Sequence, residues 1–340
     1  MKIALLGLPQ AGKKTLFTLL TQREVSPARK PDEAVEGMAT IRDDRVDALA
    51  AVSRPEHTIY AENNFVLCPD VIAGDRAWLD AARSCDLICP VVRAFNDDAV
   101  YHPAGSVDAK RDLANLTAEL MLADMELAEK RLERLTKEKR SGLTPAQEVE
   151  ERAVAKCMAA LESDQRLEDT PLNEQETAAV GSLNLATSIP LLPIYNVSED
   201  SIGSDATTGV NVSCLIEGEL MAIEDPAERH EFMEGLELEQ SGLDRVNAAA
   251  YAAQGLLSFY TTGPKESRAW TIRRGASAPE AGGRIHTDIE RGFIRVEIIK
   301  FDDFIAAGSE KDAKDQGKMQ LKGKDYVMQD GDVCHFLFNV

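Results

Sequence analysis

Gly7-Leu8-Pro9-Gln10-Ala11-Gly12-Lys13 decides the fold. The stretch fits G-x-x-x-x-G-K and lies between an apolar run at residues 2–6 (KIALL) and a helically spaced segment at residues 13–22 (KKTLFTLLTQ). A glycine turn between strand and helix is the setting in which this pattern holds phosphate. The glycines let backbone N–H groups wrap the phosphates, the helix N-terminus adds partial positive charge, and the Lys13 ammonium reaches the β/γ-phosphates. Gly7, Pro9, Gln10, Ala11, Gly12, Lys13, Lys14 and Thr15 are therefore candidate phosphate-binding residues; the plain alternative is a glycine turn with a capped helix. One position departs from the pattern. Lys14 stands where Ser or Thr holds Mg²⁺, and Thr15, turned about 100° further round the helix, cannot take over. The usual side-chain ligand for Mg²⁺ is thus missing.

Outward from this turn, strands and helices alternate. MATI (38–41), NNFVLC (63–68) and DLICPVVRAF (86–95) read as strands, and residues 45–52 and 75–84 as helices, which together argue for a parallel α/β sheet. Residues 107–140 carry leucine or methionine at helical spacing with no Gly or Pro. Gly142 and Pro145 then make a turn, and residues 146–163 resume the period. This is an antiparallel helical hairpin inserted into the α/β unit. Residues 189–196 (IPLLPIYN) and 210–215 (VNVSCL) return to strand character. The linker at 198–209 has room for a loop but not for a usual crossover helix. The last 80 or so residues alternate β-like runs with Gly turns and form a separate small α+β domain.

A chain of 340 residues exceeds one ordinary domain. Its 44% hydrophobic content builds real cores and excludes disorder. No apolar run reaches the roughly 20 residues of a membrane helix, so no membrane association is expected. MKIALLGLPQ reads as a first strand and not as a signal peptide. The six cysteines are scattered without a C-x-x-C pair, which points to reduced, buried thiols and a cytoplasmic protein. Residues 264–340 hold 13 basic and 13 acidic residues, so the net charge of −20 lies entirely in the first 263. Such an acidic body repels nucleic acid. Residues 268–300 are locally basic at +3, and any RNA contact is expected there; a mixed-charge domain surface is the alternative. His57, His230, His286 and His335 form no metal-like spacing.

Gly7–Phe17 (GLPQAGKKTLF) resembles the GLPNVGKSTLF loop of the YchF/Obg-like ATPase family. SGLDRVNAAAYAAQGLLSFYTTGPKE, RAWTIRRGASAPEAGGRIHTDIERGFIRVEIIKFDDFI and GKDYVMQDGDVCHFLFNV are very similar to that family's C-terminal part, which ends in a TGS domain. The match is dense over about residues 213–340 and recognisable over 1–22, 37–52 and 86–140. The resemblance implies a P-loop NTPase parallel sheet with an inserted α-helical hairpin, plus a small α+β, β-grasp-like TGS domain. The expected boundaries are 1–106 and 187–256 for the two parts of the NTPase domain, 107–186 for the hairpin and 257–340 for the TGS domain.

The family reads its base with N-x-x-E where most GTPases have N-K-x-D, which implies adenine over guanine and ATP over GTP. Asn196-Val197-Ser198-Glu199 matches: Asn196 would face the base ring and Glu199 its edge. Ser213 and Cys214 fall in the base-contacting turn. His102 matches the position from which the family orients or deprotonates the attacking water, though a loop histidine with no role fits its sequence context too. The switches depart from the family. Residues 25–36 offer no Thr for Mg²⁺, and Asp70 to Gly74 holds one residue too many for D-x-x-G, leaving Asp70 as a metal contact through water.

The resemblance implies an ATP-binding switch with weak hydrolysis and a ribosome or RNA partner. Contact is expected through Arg273 and Arg274 and the hairpin-tip residues Lys137, Lys139 and Arg140, with the chain a monomer. The rival readings are an interaction module that keeps the architecture without hydrolysing, and a GTPase.

Overall fold

Five apolar runs assemble side by side because each is too hydrophobic to leave a face in water. In the computed structural model, which describes residues 1–72, 74, 76–202 and 208–339, they are β1 (Lys2–Leu6), β4 (Glu62–Leu67), β5 (Leu87–Ala94), β6 (Ile194–Val197) and β7 (Val210–Val212). With β2 (Val35–Thr40) they form a sheet of order β2-β4-β1-β5-β6-β7. The β1–β4, β1–β5, β5–β6 and β6–β7 pairs are all parallel. Parallel pairing brings the carboxyl ends of these strands to one edge, where α/β sheets bind ligands. Pro90 is accommodated inside β5, opposite Leu6. The expected strand 189–196 shortens to β6, with prolines at 190 and 193, and part of the 198–209 linker lies outside the described residues.

The hairpin consists of helix Ala109–Glu138, a short 3₁₀ turn with Gly142 at φ +92°, and helix Pro145–Glu162. A Thr144–Gln147 capping box starts the second helix. The first half of the long helix is part of the sheet's core, burying Leu116, Leu120 and Ala123 with Val92 and Trp78. Further along, Met121 and Ala128 pack with Val154, Cys157 and Leu161 of the return helix. Asp124, fully buried, accepts hydrogen bonds from Arg83, the Ala186 and Thr187 amides and the Thr187 hydroxyl. These bonds offset the cost of burying a carboxylate and root the hairpin. All six cysteines are buried and free.

The second unit is built on another sheet, β11-β10-β12-β8-β9-β3. Its strands are β3 (His57–Ile59), β8 (Leu256–Thr262), β9 (Glu266–Arg273), β10 (Phe293–Lys300), β11 (Gln320–Lys322) and β12 (Asp332–Phe338). β8–β9, β10–β12 and β10–β11 are antiparallel, whereas β12–β8 and β3–β9 are parallel. Between β11 and β12, residues 326–328 (YVM) contribute an isolated bridge, Ser277 to Val327, and no strand.

Internal contacts divide the chain into two units. Thr40–Asn63 folds with Tyr251–Val340, not with the nucleotide-type sheet, and Met1–Ala39 folds with Asn64–Ala250. The cause is apolar patterning. Helix Asp44–Ser53 buries Val46 and Leu49 in a core with Tyr260, Phe304 and Val333, and β3 extends the sheet beside β9. Asp43 caps that helix and also accepts from the Tyr260 hydroxyl, while Arg45 donates to Asp330 at 2.6 Å.

Candidate functional site

Apart from Asn196, which lies within β6, the candidate nucleotide-site residues of the first unit each follow the carboxyl end of a parallel strand. The P-loop follows β1, Asp70 follows β4, His102 follows β5, Glu199 follows β6, and Ser213 and Cys214 follow β7. The topology therefore collects on one sheet edge what the sequence scatters over 200 residues.

The P-loop backbone is held by its glycines and one amide. Gly12 sits at φ +89° as N-cap of helix Lys13–Thr21, and a Cβ there would lie 2.2 Å from Asn196 Nδ2. A Cβ on Gly7 would lie 2.6 Å from the Val91 carbonyl oxygen. Both contacts exclude any larger residue. Gln10 also has positive φ, at 63°. Asn196 is buried, donates from Nδ2 to the Ala11 carbonyl at 3.2 Å and accepts at Oδ1 from the Cys214 amide at 3.1 Å. Its side chain thus ties the phosphate loop to the turn after β7, a fixing role the motif alone did not indicate. Ser213 is the N-cap of helix Cys214–Ala222, where its hydroxyl accepts from the Ile216 amide. The Cys214 thiol is buried, which pushes it up to about 12. Its sulfur lies 3.8 Å from where a Gly12 Cβ would stand, on the same side as the Asn196 amide. Leu215 beside it is 70% exposed.

Lys13 is 5% exposed. Its ammonium donates to the carbonyls of Gly7 at 3.3 Å and Pro69 at 3.0 Å, and pairs with Asp70 Oδ1 at 2.8 Å. Burial pushes the ammonium down from its ordinary range, and the Asp70 charge opposes that. The Val71 amide donates to the Gly7 carbonyl at 3.1 Å, so residues 69–71 lie against the loop as a clasp. Lys14 and Thr15 are exposed. The position that should give a hydroxyl to Mg²⁺ gives an ammonium, and Asp70 is engaged by Lys13. Of the stretch from Asp70 to Gly74, Ala73 lies outside the described residues.

His102 is buried and both ring nitrogens are used. Nδ1 accepts from the Ala104 amide at 3.1 Å, which places the proton on Nε2, 2.9 Å from Asp112 Oδ2. Asp112, buried, also accepts from Arg111 at 2.8 Å. In this conformation His102 has no free nitrogen lone pair for a water. Sequence reasoning missed Asp112, ten residues away on the hairpin helix, and Arg93. The buried Arg93 guanidinium donates to the carbonyls of Phe95, Asp97, Val100 and Tyr101 and shapes the loop leading to His102. Glu199 is exposed in a single 3₁₀ turn, Glu199–Ser201, beyond β6.

The expected docking residues are also placed. Arg273 ends β9 and Arg274 follows; both are exposed before Gly275 at φ +91°. At the hairpin tip Lys137, Lys139 and Arg140 are exposed, but Lys139 pairs with Glu151 at 3.0 Å, which weakens that cluster's net charge.

A family model named YchF-GTPase_C, described as a protein of unknown function (DUF933), matches residues 256–339. The chain is 37% identical over 362 aligned positions to the ribosome-binding ATPase YchF of Haemophilus influenzae, covering all of this chain and 99% of that one. It is 36% identical to the ribosome-binding ATPase YchF of Bacillus subtilis, covering 99% and 98%. The solved structure of the Schizosaccharomyces pombe YchF GTPase superposes with a TM-score of 0.86 at 29% identity, covering 99% of this chain and 97% of that one. The similarity therefore spans the whole length, further than the motif-bearing segments alone. Among the described residues no helix is long and apolar enough to cross a membrane.

Proposed function

The chain belongs to the YchF family of P-loop ATPases, and from that premise we propose that it is a cytoplasmic nucleotide-dependent switch that binds ATP in preference to GTP, turns it over slowly and docks on the ribosome. The observation that carries the binding half is the Asn196 clamp, which holds the phosphate loop and the turn after β7 in one rigid frame around the Lys13 ammonium. Preformed donors bind anionic phosphate with little ordering cost. Glu199 supports the adenine preference, because it extends one methylene beyond the Asp with which GTPases pair guanine.

The side-chain ligands present do not fit Mg²⁺. An exposed ammonium occupies the Ser/Thr position, and the one nearby carboxylate of the second switch is paired with Lys13. Binding is accordingly only weakly dependent on Mg²⁺, and no hydrolytic step is derived through the metal. A second reading, an interaction module that binds but does not hydrolyse, is favoured by the double engagement of His102. Calorimetric titration of the full chain with ATP and GTP, each with and without Mg²⁺, tests both halves. Sub-millimolar ATP affinity that survives chelation of Mg²⁺ is expected. Absence of ATP affinity under every metal condition would overturn the reading, and tighter binding of GTP would make the protein a GTPase.

A further inference from the structure

Residues 297 and 335 stand directly opposite each other on β10 and β12, so their side chains share one face of the second sheet. They are Glu297 and His335. Helix Glu310–Asp315 begins beside them, and Glu310 completes a trio whose ligand atoms lie within 4.8 Å of one another. Like-charged carboxylates at that separation repel unless a cation lies between them. Among the described residues, none of the three has an ion pair. His335 does not approach either carboxylate closely enough to form one, and neither do Lys311 and Lys314, which line an adjacent hollow with Glu310. The three side chains line one small cavity of about 30 Å³, with Thr262, Phe304 and Met319 among its other walls. That is room for about one water or one ion.

We propose that Glu297, Glu310 and His335 form a binding site for a divalent transition-metal ion of the Zn²⁺ class. One imidazole and two carboxylates supply three ligands, and a water completes a tetrahedral shell. Donors on such an ion lie roughly 3.3 Å apart, so side-chain rotation of about an ångström closes the set. The imidazole selects against Ca²⁺ and Mg²⁺, which prefer oxygen alone. Cys334 borders the same cavity, but its thiol does not compete, because alternation along β12 turns it to the opposite face from His335, into the core with Phe259 and Phe336. The bound ion would tie helix Glu310–Asp315 to the hydrogen-bonded β10–β12 pair, which that helix otherwise meets through apolar contacts around Ala313, Phe304 and Val333.

The test uses the full chain, nucleotide-free and stripped with chelator, in equilibrium dialysis against Zn²⁺ with thermal melting in parallel. One saturable equivalent of Zn²⁺ is expected, with a rise in melting temperature by mass action. Glu297→Gln keeps the side-chain size, and His335→Asn removes the imidazole while leaving a polar side chain. Each should weaken binding at least tenfold, about 1.4 kcal/mol, and abolish the melting shift, while His230→Asn at an exposed two-ligand pair changes neither. Circular dichroism of the variants without metal confirms that they fold. Three outcomes would overturn the site: no saturable Zn²⁺ binding, binding unchanged in both variants, or Ca²⁺ bound as tightly as Zn²⁺, which would mean that His335 is no ligand.

Discussion

The Lys13 ammonium lies 2.8 Å from Asp70 Oδ1, and the same nitrogen donates to the Pro69 carbonyl at 3.0 Å. The clasp after β4 thus occupies the cation that a bound nucleotide would use. Incoming phosphate must compete with Asp70 for Lys13. Asp70 is 47% exposed, so solvent screens the pair and its worth is limited to about 1 kcal/mol or less. Asp70→Asn should therefore tighten ATP binding in the absence of Mg²⁺ by about threefold, within that limit. Lys13→Ala should weaken it by at least tenfold, about 1.4 kcal/mol. Calorimetry that finds Asp70→Asn neutral or weaker without metal would show that the pair opens freely and does not gate the loop.

Asn196 joins two loops through one side chain, so its removal should be felt twice. Asn196→Ala leaves the buried Cys214 amide without its acceptor and the Ala11 carbonyl without its donor. An unmet buried group costs about 1–3 kcal/mol. A fall in melting temperature together with ATP affinity reduced at least tenfold is expected. Gly12→Ala should do more harm, because its Cβ would meet Asn196 Nδ2 at 2.2 Å in a backbone conformation that alanine resists. If Asn196→Ala melts normally and merely loses the choice between ATP and GTP, the side chain reads the base and does not brace the frame.

Much of this was legible from sequence where local patterning is strong. The strand–loop–helix at 2–22 and the hairpin with its Gly142 turn follow directly from period and punctuation. The placement of residues 40–63 was not legible. Val46 and Leu49 announce an apolar helix face, but nothing in their spacing says that the face is covered by Tyr260 and Phe304, more than 200 positions later. The site divides the same way. The P-loop is a contiguous motif. The partners of Lys13 and His102 are set by which strands are neighbours, and β4 and β5 flank β1 only because of the order in which the sheet assembled. Glu297 and His335 likewise meet only through the β10–β12 register.

Glu217 carries a pH prediction. Its carboxyl is 2% exposed in helix Cys214–Ala222 and accepts from the Gly242 amide at 2.6 Å. Burial pushes it above the ordinary carboxylate range, with the backbone bonds opposing. An acid raised on folding favours the folded state in its neutral form. That contribution is complete below the unfolded value near 4.5 and is lost as pH rises through the folded value. Glu217→Gln keeps an acceptor for Gly242 without the charge. It should melt higher than wild type at pH 7, and the two should converge below about pH 4. A variant that melts lower at pH 7 would show that the ionised carboxylate is the stabilising form.

Hydrolysis should be slow for more than one reason. Restoring Lys14→Ser supplies one hydroxyl but leaves Asp70 paired and the first switch without a threonine, so turnover should recover little. His102 is tied to Asp112 and the Ala104 amide, so His102→Ala should chiefly loosen the 95–106 loop. A lower melting temperature with the slow turnover unchanged is expected. Strong Mg²⁺-stimulated ATP hydrolysis by the wild-type chain, abolished in His102→Ala with its fold intact, would restore the histidine to the chemistry.

Docking should follow charge. The acidic first 263 residues repel RNA phosphate, whereas residues 268–300 are locally +3. Arg273 and Arg274 are exposed at the end of β9, next to a glycine turn, where two adjacent guanidinium groups can meet successive phosphates. The hairpin tip should add less, since Lys139 is paired with Glu151 and leaves Lys137 and Arg140 to act. Removing one cation that neutralises a phosphate should reduce the salt slope of binding by about one unit. Reversing Arg273 and Arg274 to Glu should therefore cut co-sedimentation with ribosomes at low salt and flatten its salt dependence. ATP binding should stay unchanged, because both residues belong to the second unit. The hairpin double variant Lys137→Glu, Arg140→Glu should have a smaller effect. Co-sedimentation that persists undiminished in the Arg273/Arg274 variant, or that fails for wild type at low salt, would remove this face from any ribosomal contact and leave it a solvated surface.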